Sequence, residues 1–149
     1  MSTPVISVVV PVLDEEDNLP ELHDRVAAAL AEIPYELVVV DDGSTDRSVE
    51  IIESWIAGGE AVVLVKLSRN FGMEVAMSAG LDHARGDAVI PIDADLQHPP
   101  ELVDELVARW REGNDVVIAL RRDRATDGLP RRVASDRAAK VASRWALGY

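Results

Sequence analysis

The chain of 149 residues has the length of a single domain, and at 48% hydrophobic it carries enough apolar side chain to bury one core. Its 15 basic and 27 acidic side chains give a net charge of −12, the wrong sign for a free-standing nucleic-acid binder. Without cysteine there is no disulfide framework, thiolate nucleophile or zinc–thiolate site, and 4% aromatic content argues against base-stacking platforms.

The start, Met1-Ser2-Thr3-Pro4, has no basic leader region, and no run of 18 apolar residues occurs, so neither a signal peptide nor a membrane span is expected. Charge is uneven. Residues 1–120 carry 7 basic and 24 acidic side chains (−17), whereas residues 121–149 carry 8 basic and 3 acidic ones (+5). That basic tail is either a solvated helix offsetting the acidic body or a surface for an anionic partner.

Along the chain, Val5 to Val10 forms a short β-branched run that predicts a buried strand. Leu19, Leu22, Val26, Leu30 and Ile33 then recur at helical spacing, with Asn18 and Glu21 placed as a capping box around Pro20. A second strand is predicted over Glu36 to Val40, followed by a turn and a helix bearing Val49, Ile52 and Ile56. Gly58-Gly59 stops that helix before a third strand, Ala61 to Leu67. A small-residue helix from Phe71 to about Ala84 follows, then a fourth strand from Ala88 to Ile92, whose Pro91 suits a strand end or edge. Pro99-Pro100 open a helix with Leu102, Leu106, Val107 and Trp110; Asp115 to Leu120 reads as a fifth strand, and Ala134 to Trp145 as a last helix. Such alternation predicts an α/β fold with an open, mostly parallel sheet and helices on both faces.

In open sheets of this kind, ligands bind outside the carboxyl ends of the strands. Three acidic clusters fall there: Asp14 to Asp17, Asp41-Asp42-Gly43-Ser44, and Asp93-Ala94-Asp95-Leu96-Gln97. Crowded carboxylates raise one another's pKa unless a cation neutralises them, and oxygen ligands without cysteine favour a hard ion such as Mg²⁺ or Mn²⁺. The first cluster equally suits acids in a helix's first turn, and the second an ordinary turn with an N-cap. The third resists that reading, because strand alternation would put residues 93 and 95 on one side. Arg69 after strand three and Arg121 after strand five are candidate phosphate donors, although surface arginines are commonly just solvated. His23, His83 and His98 show no ligand spacing. There is no G-x-G-x-x-G, P-loop or G-x-S-x-G motif.

Four segments, PVLDEEDNLPEL, VVVDDGSTDRS, LSRNFGMEVAMSAGLDHARGD and VIPIDADLQHPPELV, occur in that order. Together they resemble family-2 glycosyltransferases of the A-type fold, nearest the polyprenyl- and dolichyl-phosphate sugar transferases such as dolichol-phosphate mannosyltransferase. The resemblance runs from about residue 5 to residue 122. It implies a nucleotide-diphospho-sugar donor, of GDP-mannose or UDP-glucose type, bound in the sheet half. Carried over motif by motif, Pro11, Leu13 and Glu15 would line base and ribose, with Val40 and Asp42 beside the base. Asp93, Ala94, Asp95 and Gln97 would surround metal and diphosphate, with Asp95 as the first metal ligand, and Arg121 would approach the phosphates. Met73 departs from the polar or basic residue that many members carry.

The implied reaction is inverting hexose transfer to a polyprenyl phosphate at a Mg²⁺ or Mn²⁺ site. The alternative is a nucleotide-sugar-binding module without turnover. A phospho-receiver domain is remote, because it would want a lone Asp after strand three and a Lys after strand five, where Ser68-Arg69-Asn70 and Arg121-Arg122 stand. Residues 1–122 would form the donor-binding domain, and 123–149 a basic helical segment opening an acceptor-side region. Residues 129–148, basic beside an apolar stripe, could touch an anionic leaflet. The expected location is the cytoplasm, at the inner face of a membrane; self-association is left open.

Overall fold

The computed structural model describes residues 5–96 and 102–118. Four strands, β1 (Ile6–Val12), β2 (Tyr35–Asp41), β3 (Val62–Lys66) and β4 (Ala88–Pro91), form one parallel sheet in the order β3-β2-β1-β4. Helices α1 (Leu19–Ala29), α2 (Ser48–Ala57) and α3 (Met73–His83) connect them, and α4 is Leu102–Arg111. The chain divides into two compact units at Val103/Asp104, and the whole sheet lies in the first. Residues 115–118, the described part of the expected fifth strand, are not in strand conformation. The expected tail helix lies outside the described residues, as does the 123–149 segment.

Every residue of β1 is buried, as a central strand covered on both faces requires. Val9 pairs with Val38 and Pro11 with Val40, so these four share a face. Val9, Val38, Val40 and Ala76 form a cluster there, backed by Met77, Ala79, Val63 and Val65. Small residues let α3 come close: a Cβ at Gly80 would lie 2.3 Å from Val9 Cγ1. The alternate residues Ile6, Val8, Val10 and Val39 are buried on the opposite face, and Leu19, Leu22, Val26 of α1 and Ile52 of α2 are buried as well.

Two local expectations need correction. Asn18 is already helical (φ −91°, ψ −28°) and makes no side-chain cap. Its amide nitrogen donates to Glu15 Oε2 at 2.7 Å instead, so the capping box with Glu21 does not form. The first strand also runs further than predicted, through Pro11 to Val12. Pro11 is tolerated because its backbone faces β4, where pairing ends with the Ile92 amide donating to Val9 O.

Candidate functional site

The three acidic loops all leave the carboxyl edge of the sheet, but most of their carboxylates are engaged with backbone. Asp14, at φ 54°, accepts the amides of Thr45 at 2.6 Å and Asp46 at 3.3 Å, and its own amide donates to Ser44 Oγ at 3.0 Å. The Glu15 amide donates to Ser48 Oγ and the Glu16 amide to Asp46 Oδ2, both at 3.0 Å. Glu16 in turn accepts the Arg47 amide at 2.9 Å and its Nε at 3.3 Å. Residues 14–16 are thereby zipped to residues 44–48.

Burial tends to raise the Asp46 carboxyl, but hydrogen bonds from the Ser48 side chain and amide and from the Glu16 amide outweigh it and hold the pKa below the usual value. Asp41 Oδ1 accepts the Ser44 amide at 3.0 Å. Asp42 accepts the amides of Phe71 at 2.7 Å and Gly72 at 2.9 Å. Backbone amide donors therefore stabilise the carboxylates of Asp14, Glu16, Asp41 and Asp42 without a cation. Among the described residues, no three His, Asp or Glu side chains converge as a metal site.

The third cluster differs. β4 ends at Pro91, and Asp93, Ala94 and Asp95 sit in a turn that ends at Leu96 with φ 59°. A turn, rather than strand alternation, brings both aspartates to the same place. They border a cavity of about 230 Å³ at the carboxyl edge. Pro11 and Val12 line it from the end of β1, Leu13 and Glu15 from the loop that follows, and Asp42 from just beyond β2. Asn70 and Gly72 line it from the stretch before α3, Met73 and Ala76 from α3 itself, and Asp93, Ala94 and Asp95 from the turn after β4.

Of the residues proposed from sequence, Pro11, Leu13, Glu15, Asp42, Asp93, Ala94 and Asp95 meet at this cavity. Val40 does not. It is fully buried in the core beneath α3, because its position on β2 points it at Ala76 and Gly80. Arg69 is also absent from the lining; its guanidinium lies 4.4 Å over the Phe71 ring. Gln97 and Arg121 lie outside the described residues. Sequence reasoning missed Val12 and Ala76. Asn70 and Gly72 were legible as an amide and a glycine turn directly after a strand end and directly before a helix, and both line the cavity.

The sequence matches the family described as glycosyl transferase family 2 over residues 7–147. The chain belongs to glycosyl transferase family 2. It is 45% identical over 133 residues to the bactoprenol glucosyl transferase of Shigella phage SfV, covering 88% of this chain and 43% of that one. It is 49% identical over 123 residues to the undecaprenyl-phosphate 4-deoxy-4-formamido-L-arabinose transferase of Pseudomonas aeruginosa, covering 80% and 36%.

Among solved structures, S. aureus TarS 1-349 in complex with UDP-GlcNAc superposes with a TM-score of 0.60 at 27% identity, covering 72% of this chain and 32% of that one. The mannosyltransferase PcManGT from Pyrobaculum calidifontis, in complex with GDP-Man and Mn²⁺, gives 0.55 at 26% identity over 72% and 32%. This family-2 chain therefore has the α/β nucleotide-sugar transferase fold and spans less than half the length of these relatives. No helix among its described residues is long and apolar enough to cross a membrane.

Proposed function

We propose that this chain is the donor-binding part of an inverting glycosyltransferase that moves a hexose from a GDP-mannose- or UDP-glucose-type donor to a polyprenyl phosphate. The observation that carries the proposal is the cavity at the carboxyl edge, bordered by Asp93 and Asp95 and lined by Pro11 and Leu13. The names of the bactoprenol and undecaprenyl-phosphate relatives support the acceptor class.

The donor set suits a hard divalent ion, since two carboxylates from one turn leave its other positions to water and phosphate oxygens. Asp95 and Asp93, with Gln97, would hold Mg²⁺ or Mn²⁺, and the Mn²⁺ in the PcManGT complex supports that choice. Such an ion supplies Lewis-acid stabilisation of the charge gathering on the departing diphosphate. The chain's own residues then bind and orient. Apolar Pro11, Val12 and Leu13 would contact the nucleoside from the β1 side, and Asn70, Gly72 and Met73 from the α3 side. Arg121 would meet the phosphates. A polyprenyl phosphate oxygen is already anionic near neutral pH, so the acceptor needs little help from a general base. Residues 129–148 would rest on an anionic leaflet at the cytoplasmic face.

The second reading is a nucleotide-sugar-binding module without turnover. Thermal unfolding with UDP and GDP, with Mg²⁺ or Mn²⁺ and with EDTA, tests donor binding. Stabilisation that needs the ion is expected, and an equal shift in EDTA overturns the ion's role. Transfer of radiolabelled sugar to a polyprenyl phosphate tests turnover. Binding without product with any donor leaves the module reading.

A further inference from the structure

Asn18 stands at the N-cap of α1, where a side chain commonly satisfies the first turn of its own helix, yet it makes no such cap. Its amide nitrogen donates instead to Glu15 Oε2 at 2.7 Å, the pairing that an acceptor-only carboxylate dictates. Glu15 is half-buried and lines the cavity, and Asn18 is not part of that lining.

Glu15 is held at every polar point but one. Its amide donates at 3.0 Å to the Oγ of Ser48, a fully buried hydroxyl. Its carbonyl accepts the amides of Asn18 and Leu19, both at 3.0 Å, and Leu19 is buried in the core. With Asn18 on Oε2, the other carboxylate oxygen, Oε1, has no partner among the described residues. Such an oxygen can only accept a hydrogen bond. A nucleoside offers it ribose hydroxyls and base N–H groups, whereas an ionised diphosphate offers only acceptors. A carboxylate fixed before the ligand arrives also spares binding the side-chain entropy of ordering it.

Resting on the nucleotide-sugar reading above, we propose that Asn18 is a positioning residue: it pins one oxygen of Glu15 and so presents the other to the nucleoside end of the donor. Asn18 acts on the ligand only through Glu15.

Calorimetric titration of UDP and GDP in Mg²⁺ on the full 149-residue chain tests this through a double-mutant cycle. Asn18→Ala should weaken nucleotide binding at least about fivefold. Asn18→Asp has the same shape but sets a second carboxylate beside Glu15, and should weaken binding further. Negative charge at the start of α1 favours the helix, so the unliganded melting temperature of that variant should hold or rise while its affinity falls. A merely structural role cannot produce that split. In a Glu15→Ala background, Asn18→Ala should change affinity by less than about twofold. Native affinity in Asn18→Ala overturns the proposal, as does an equal loss with and without the Glu15 carboxylate. A native chain that binds neither UDP nor GDP overturns the nucleotide reading and the proposal together.

Discussion

At the amino edge of the sheet, Ser7 and Glu36 fasten the turn between α3 and β4; at the carboxyl edge, Asp14, Asp42 and Asp46 fasten loops to one another. The bonding chemistry is the same in both places. Ser7 Oγ donates to Glu36 Oε1 at 2.6 Å, the Arg85 amide donates to Glu36 Oε1 at 2.6 Å, and the Gly86 amide to Ser7 Oγ at 2.8 Å. Packing there is tight: a Cβ at Gly86 would lie 2.6 Å from the Ser7 nitrogen. At the other edge the fastened loops leave a cavity, and Asp95 stands exposed on its rim. A carboxylate that accepts amides between packed elements serves stability, and one that accepts them between loops serves shape. Counting acids does not separate the two.

The largest expected effect isolates the rim. Asp95→Ala should lower sugar transfer by at least about a hundredfold, the scale of removing one electrostatic stabiliser, with the unliganded melting temperature unchanged. A transfer assay beside calorimetry checks this, and a large fall in melting temperature would erase the distinction between the edges. Glu36→Ala reverses the pattern. Stranding the Arg85 amide and Ser7 hydroxyl should cost about 2–4 kcal/mol in urea unfolding, with nucleotide affinity of the folded protein unaltered.

β1 and β2 were legible in the sequence because β-branched apolar residues dominate both between turn residues, and α3 because Ala76, Ala79 and Gly80 recur at helical spacing. The place of the site was legible too, since strand ends in a parallel sheet share one edge. The partners of its acids were not. Whether Asp14 faces an ion or the amide of Thr45 depends on a contact 31 residues away in sequence, which no local pattern encodes. Val40 shows the same limit. Asp42 lies just past the end of β2 and reaches the cavity, whereas Val40, still within the strand, is buried beneath α3, where Gly80 allows close approach.

Smaller effects sharpen the comparison. Gly80→Ala places a methyl 2.3 Å from Val9 Cγ1 and should destabilise by about 1–3 kcal/mol in the same urea experiment. The smallest concerns Asp46, whose lowered pKa means the folded state binds its proton less tightly than the unfolded state does. Its contribution is therefore present above the unfolded pKa and is lost as acid passes below about pH 4. Asp46→Asn should flatten that acid limb in unfolding profiles, and an unchanged slope would show that the zip between residues 14–16 and 44–48 carries no proton linkage.

Pro11 reaches furthest of the features that shape the mouth. Its backbone turns toward β4 one step beyond the last pairing, and an imino nitrogen has no hydrogen to offer. The gap between β1 and the chain after β4 is thus inscribed in covalent structure and asks nothing of a guest. Beyond Val9, β1 has no N–H at Pro11 with which to carry the pairing further along the chain that follows β4.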